Sequence, residues 1–359
     1  MAGTVCFEQT ITEISERPAE SETIILPGFI DTHVHGGGGG DAMDGAEGVR
    51  RLARFHVAHG VTTLLPTTIT NPWDRIMVAL DGIAAVRQTA DPSLPSIVGA
   101  HVEGPFISPE RLGAQPPFAV AATPERVQAL LDTKIVRVMT VAPEVAGVLA
   151  VIPMLAARGV RISIGHTVAT FAETMALVRC ARAVGGVVGF THLFNAMRGL
   201  ESREPGVVGA ALTDSESFSE LILDGQHVHS AAFQLALKTK QGHLHLITDA
   251  IRATGLPDGA TELGGQSVTV ADGAARLGDG TLAGSVLTLD QALRNAVALG
   301  VPLSAASALL SDTPARYLGL SDRGRLAVGL RADLVVMDAH LRVQAVYVAG
   351  KLVSNEVAI

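Results

Sequence analysis

Short apolar runs alternate along this chain with stretches in which apolar residues recur every three or four positions. The runs occupy residues 28–35, 62–69, 96–106, 136–144, 161–167, 188–194, 218–225 and 243–251. Most are near-continuous and rich in Val and Ile, the pattern of strands covered on both faces. Amphipathic stretches of helical length follow most of them, as at 50–60, 72–88, 124–131 and 171–183. Gly60 and Gly159 fall where helix C-caps would sit, and Thr123 before Pro124 fits an N-cap followed by the first helical position. Eight strands with helices between them predict an α/β fold, a TIM-like (β/α)8 barrel. The connection from the sixth to the seventh strand lacks a clear helical pattern.

The rhythm changes after residue 251. Residues 261–284 are rich in Gly and Asp, with short alternating strands at 267–270 and 275–277, and read as a loop or hairpin inserted after the last barrel strand. Helical patterns return at 288–299 and 304–317. From Gly324 the chain reads as strands again, at 333–337, 343–348 and 351–354, with a turn at Gly350. Such a terminal group cannot bury itself alone and is expected to pair with strand material at 4–25. The predicted organisation is a small β-sandwich domain built from residues 1–26 and 324–359, with the barrel at 27–323. The length of 359 residues accommodates one large barrel with a small appendage.

Composition narrows the function classes. Hydrophobic residues make up 48% of the chain, ample for a continuous core, and mean hydropathy is +0.35. The net charge is −8, and the lysines are Lys134, Lys238, Lys240 and Lys351 alone. A mildly acidic, lysine-poor chain is a poor polyanion binder, so neither nucleic acid nor a membrane surface is an expected partner. The two cysteines, Cys6 and Cys180, stand far apart without metal-ligand or redox spacing. Their scarcity suits a reducing compartment. The acidic opening lacks a secretory apolar core, and the stretch 145–157, broken by Pro153, is too short to span a bilayer. The expected location is the cytoplasm.

Chemistry gathers at the strand ends. Asp31-Thr32-His33-Val34-His35 closes the first run, and period-2 alternation puts both imidazoles on one face, where two nitrogens can share one cation. Chance alone gives roughly 0.4 His-x-His pairs for 12 histidines, so the pair by itself is weak. The other ends repeat the pattern: His101 and Glu103, His166, His192, His227 and Asp249. Polar groups at one barrel face are costly to desolvate unless they serve a ligand. A metal site accounts for them together. His56, His59, His229, His243, His245 and His340 are read as structural. The run 36–40 lacks the Lys-Ser/Thr of a nucleotide loop.

The opening Pro27-Gly28-Phe29-Ile30-Asp31-Thr32-His33-Val34-His35-Gly36 resembles the first strand of the amidohydrolase superfamily. Within it, His101-Val102-Glu103-Gly104-Pro105-Phe106, Gly165-His166-Thr167 and Thr191-His192-Leu193-Phe194-Asn195-Ala196-Met197 resemble the N-acetylglucosamine-6-phosphate deacetylases. Arg203-Glu204-Pro205-Gly206, Asp224-Gly225-Gln226-His227, Thr248-Asp249-Ala250, Leu282-Ala283-Gly284-Ser285 and Arg331-Ala332-Asp333-Leu334-Val335 continue the match in order. The resemblance implies hydrolysis of N-acetyl-D-glucosamine 6-phosphate to D-glucosamine 6-phosphate and acetate, with Asp249 as general base and acid. It implies one divalent ion on Glu103, His166 and His192, and leaves open a second on His33, His35, Glu103 and Asp249. Zn2+ suits the donors, with Mn2+, Fe2+ or Co2+ as alternatives. The carboxylated lysine that bridges many two-metal relatives has no counterpart in Ala142-Pro143-Glu144, and the resemblance assigns the bridge to Glu103.

Substrate contacts implied in the same way are Ala114, Gln115, Asn195, Ala196, His227, Leu282, Ala283, Gly284 and Ser285. Arg203 would reach the phosphate in a neighbouring subunit's site, implying a homodimer. Two departures stand out. Gly113-Ala114-Gln115 replaces the family's Gly-Ala-His, which leaves sugar specificity open, and the N-terminal β segment is abbreviated. The alternatives are an N-acetylgalactosamine 6-phosphate deacetylase, a cyclic-amide amidohydrolase, and a catalytically silent barrel that binds sugar phosphate.

Overall fold

The computed structural model describes residues 3–16 and 23–355. All eight apolar runs become barrel strands: β1 (Phe29–Val34), β2 (Val61–Thr68), β3 (Ala100–Glu103), β4 (Val136–Val141), β5 (Arg161–Ile164), β6 (Val188–Phe190), β7 (Ser219–Ile222) and β8 (Leu244–Ile247). Neighbours β1 to β6 pair in parallel in chain order, as do β7 and β8. Two seams complete the circle. Phe190 N–H donates to Phe218 O at 3.0 Å beside β7, and Asp249 N–H donates to His33 O at 2.9 Å between β8 and β1.

Helices cover the barrel because each presents an apolar stripe to the strands. Leu130, Val151, Leu155 and Leu177 from three of them share the main core with Val102, Met139, Ile162, Ile164 and Phe190 of the strands. Their starts are written locally. Thr123 Oγ1 accepts from Arg126 N at 3.3 Å ahead of Pro124, and Thr170 with Glu173 forms a reciprocal capping box at the helix Phe171–Ala183. Loss of such a cap costs about 1 kcal/mol.

The connection from β6 to β7 does contain a helix, Gly206–Thr213. Residues 206–212 are all buried, so this helix has no polar face and shows no 3.6-residue alternation. The helix Val148–Ala157 escapes the pattern for the same reason, being almost wholly apolar with Pro153 inside it.

The barrel interior is more polar than the strand runs suggest. Thr140 Oγ1 lies 2.8 Å from Thr191 Oγ1, which lies 2.7 Å from Ser163 Oγ. His101 joins them, its Nε2 at 2.8 Å from Thr140 Oγ1 and its Nδ1 donating to Thr32 O at 3.1 Å. All of these groups are fully buried, and their mutual hydrogen bonds offset the cost of desolvating them.

Two additions flank the barrel. After β8, the strands Gly259–Leu263, Gln266–Ala271 and Ala274–Leu277 form an antiparallel sheet. Its Leu263, Val268, Val270 and Ala275 share a small core with Ile69, Ile251 and Ala283. At the other addition, Ile24–Pro27 pairs antiparallel with Leu334–Met337, which continues through Val343–Val348 to Lys351–Asn355. A hairpin of Gly3–Phe7 and Ile11–Glu16 lies against it, with Ile11, Ala332 and Leu334 between them. The rest of the expected N-terminal strand material, residues 17–22, lies outside the described residues, as do 1–2 and 356–359 of the proposed β domain. Among the described residues, no helix is long and apolar enough to cross a membrane.

Candidate active site

The strand ends converge on one rim, and the backbone turns sharply there to aim side chains inward. His166, His192 and Asp249 have positive φ, at 48°, 30° and 50°, a region that L-residues rarely adopt. Each such position costs of order 1–3 kcal/mol and persists only where surrounding bonds enforce it. Around Asp249 those bonds are visible: its N–H donates to His33 O, and its carbonyl accepts from Ser285 N at 2.7 Å. Gly284 belongs to the same clamp. A Cβ on it would lie 2.6 Å from Ile251 Cγ2 and 2.8 Å from Asp249 O, so only glycine fits.

Two groups of ligand atoms meet at Glu103. Its Oε1 lies 3.0 Å from Nε2 of both His166 and His192, whose Nε2 atoms are 3.1 Å apart. Its Oε2 lies 3.2 Å from His35 Nε2, which is 3.3 Å from His33 Nε2. Asp249 Oδ1 completes the second group at 3.3 Å from His35 and 3.5 Å from His33. All six residues are buried.

The hydrogen bonds behind the rings determine which nitrogen faces inward. His35 donates from Nδ1 to Thr67 O at 3.1 Å, His166 from Nδ1 to Arg111 O at 2.9 Å, and His33 from Nδ1 to Glu220 Oε2 at 3.1 Å. Each Nε2 is thereby turned toward the carboxylates. Buried carboxylates need positive charge beside them. Burial opposes ionisation of Glu103, yet His33, His166 and His192 hold it well below the ordinary carboxylate range. Asp249 is likewise held down by His33 and His35 against its burial. Burial disfavours charge on His35, but Asp249 and Glu103 lift its pKa to about 9. Imidazole nitrogens and carboxylate oxygens that converge and gather positive charge make the donor set of a divalent metal centre.

A third cluster, His33, His101 and Glu220, also brings ligand-type atoms together. Both His101 nitrogens and His33 Nδ1 are already hydrogen-bonded within the protein. Beside it, burial pushes Asp31 up to about 7, although Thr248 Oγ1 donates to its Oδ2 at 2.6 Å.

A cavity of about 290 Å³ opens onto the rim, a volume suited to a small ligand. Of the residues named from sequence, His35, Glu103, His166, His192, Asp249, Ala114, Gln115, Asn195, Ala196, His227, Leu282 and Gly284 line it. His33 sits fully buried behind the wall. Three others are not in the wall. Ala283 is buried in the core of the inserted sheet, and Ser285 turns its Oγ to Thr248 O at 2.6 Å. Arg203 is exposed and away from the cavity within its own chain.

Sequence reasoning did not single out Arg111, which lines the cavity and whose carbonyl holds His166, or Glu220, which holds His33. Glu220 had a signal: it is the lone charge in the mostly apolar segment 218–223. A carboxylate is rarely buried there without a paired partner.

Comparison with known proteins agrees with this geometry. The amidohydrolase family matches residues 24–353. The chain is 41% identical to an N-acetylgalactosamine-6-phosphate deacetylase of Escherichia coli O157:H7, with 97% of this chain and 92% of that one covered. It resembles the crystal structure of N-acetylglucosamine-6-phosphate deacetylase from Thermotoga maritima, with a TM-score of 0.91 and 34% identity over 98% of this chain and 95% of that one. It also resembles a variant of N-acetyl-D-glucosamine-6-phosphate deacetylase from Mycobacterium smegmatis in complex with N-acetyl-D-glucosamine-6-phosphate. There the TM-score is 0.88 and the identity 38%, over 96% of this chain and 93% of that one.

Proposed function

The chain belongs to the amidohydrolase family, and within it we propose that it is a metal-dependent deacetylase that hydrolyses N-acetyl-D-glucosamine 6-phosphate to D-glucosamine 6-phosphate and acetate. The observation that carries this reading is the meeting of Glu103, His166 and His192 with His33, His35 and Asp249 at the floor of one cavity. Glu103, His166 and His192 would hold one ion. His33, His35, Glu103 and Asp249 would hold a second, with Zn2+ favoured by the imidazole-rich donors. A bound ion supplies Lewis acidity, lowering the pKa of water and polarising the acetamide carbonyl.

The protein's own groups do the rest. Asp249, ionised and on the cavity wall, accepts a proton as the water oxygen bonds to the acetyl carbon. It returns that proton to the amine as the C–N bond breaks. Asn195, the backbone of Ala196, and His227 orient the sugar phosphate. His227 is itself held by Asp224 Oδ2 at 2.7 Å from its Nδ1. Leu282 and Gly284 close over the sugar from the loop that also clamps Asp249.

Arg203 is assigned to the phosphate of a neighbouring subunit's substrate in a homodimer, where its guanidinium can donate two parallel hydrogen bonds. Its exposure on its own chain leaves it free for that role. The N- and C-terminal strands are assigned to the small β domain at 1–26 and 324–359. Both cysteines are free thiols, in keeping with a cytoplasmic location.

A second substrate reading is favoured by one observation, the 41% identity to an N-acetylgalactosamine-6-phosphate deacetylase. Acetate release from the two epimeric 6-phosphates, with metal content measured on the same sample, separates them. Release from the gluco substrate is expected. Release from the galacto epimer alone transfers the assignment, and release from neither, by a metal-loaded protein, overturns the deacetylase reading.

A further inference from the structure

Glu220 lies on β7 beneath the rim, 1% exposed and outside the wall of the substrate cavity. Its two carboxylate oxygens are divided between neighbours on β1. Oε1 accepts from Thr32 Oγ1 at 2.9 Å, and Oε2 accepts from His33 Nδ1 at 3.1 Å. His245 on β8 braces the same group, its Nε2 being 3.0 Å from Thr32 Oγ1. The far nitrogen of His33 is the one turned toward Glu103, His35 and Asp249.

We infer that Glu220 is a positioning residue for the second metal ion, holding His33 in the Nδ1–H tautomer with Nε2 presented as a ligand. This deepens the metal reading proposed above and rests on it. An imidazole on a strand can turn about its Cβ–Cγ bond and carry its proton on either nitrogen. Only one of those arrangements offers a lone pair at Nε2 with the ring in its present plane. A carboxylate that accepts from the other ring nitrogen selects that arrangement and makes the ring a stronger donor to a metal. His35 and His166 obtain the same selection from backbone carbonyls, Thr67 O and Arg111 O. His33 points into the barrel, where no carbonyl among the described residues meets its Nδ1, and Glu220 takes that place. Thr32 fixes the second oxygen, so the carboxylate cannot swing away. A purely structural carboxylate would be under no requirement to meet the one ring nitrogen that faces away from the rim.

The test is zinc binding by equilibrium dialysis, with bound metal counted by mass spectrometry, on wild type, E220Q and E220A. Wild type is expected to hold two zinc ions per chain. Both variants are expected to keep the first ion and to bind the second about 10–100-fold more weakly. Zinc-loaded wild type labelled with 15N at histidine should also show a slowly exchanging His33 Nδ1 proton, assigned by its loss in H33N. That measurement decides the matter should E220A fail to fold. Unchanged affinity for both ions in folded E220Q, or a His33 proton absent from Nδ1, overturns the inference. A single zinc per wild-type chain overturns it too while leaving Glu103, His166 and His192 as a one-ion site. No zinc at all overturns it together with the metal reading.

Discussion

Gln115 Nε2 donates to Glu103 Oε2 at 2.5 Å, while Gln115 Oε1 accepts from Thr70 N–H at 2.7 Å. The Gln115 amide is thus engaged at both ends, and one end steadies the carboxylate shared by the two ligand groups. Besides its expected part in touching the sugar, Gln115 holds Glu103. Replacing it by alanine leaves Glu103 Oε2 short of a donor. Q115A is expected to lose about 10–100-fold in metal affinity or turnover. Titration of apoprotein with zinc, alongside kcat, checks it, and a change in KM alone would return Gln115 to the sugar.

Asp249 is proposed to move the proton. D249N should retain the ion held by Glu103, His166 and His192 yet lose about 10²–10⁴-fold in kcat. Metal content and steady-state kinetics on one preparation test this. Turnover near the wild-type value removes Asp249 from its role.

Glu103 contributes an oxygen to each ligand group. E103A is therefore expected to release both ions together, whereas H166A should chiefly weaken one. Dialysis against a chelator should abolish acetate release, and added Zn2+ should restore it. Retention of two ions by folded E103A would exclude Glu103 as the bridge.

Buried histidines set an acid limit on stability. His56 donates from Nε2 to Gly36 O at 2.8 Å, its buried Nδ1 has no partner among the described residues, and burial lowers its pKa to about 4. Burial lowers His245 to about 4 as well. In the unfolded chain both titrate near 6.5. Between pH 6.5 and 4 the unfolded chain thus holds protons that the folded one refuses, and stability falls as pH falls. Each group adds about 1.4 kcal/mol per pH unit to that slope at its fullest. Urea midpoints measured from pH 7 to 5 should decline less steeply in H56Q than in wild type, and equal slopes would contradict the assignment.

Arg203 is proposed to serve the neighbouring site. R203A should raise KM with a smaller effect on kcat. Mixed with D249N after joint refolding, it should regain activity, because one site of the hybrid dimer then combines an intact Asp249 with an intact Arg203. Absence of any gain in hybrids shown to form would place the phosphate contact elsewhere.

The eight strands and most helices were legible because their apolar spacing is strong. The helices Gly206–Thr213 and Val148–Ala157 were not: the first is buried almost throughout, and the second is apolar on its exposed side as well as its buried one, so neither alternates in sequence. The cluster at the rim was legible because histidines and carboxylates recur at strand ends, and the family resemblance had placed Glu103 in both groups; the coordinates added the distances. Glu220, Arg111 and the Gln115 bond were hidden for a different reason. Each acts through a partner remote in sequence, Glu220 on His33 across 187 positions, and no local spacing encodes such a meeting.

The left-handed turns at His166, His192 and Asp249 have a consequence for anyone seeking a hardier version of this enzyme. A screen for heat tolerance alone would reward glycine at these three places, since glycine relaxes the backbone there at once. The survivors would be sturdier and inert, because durability and reactivity compete for the same few peptide units.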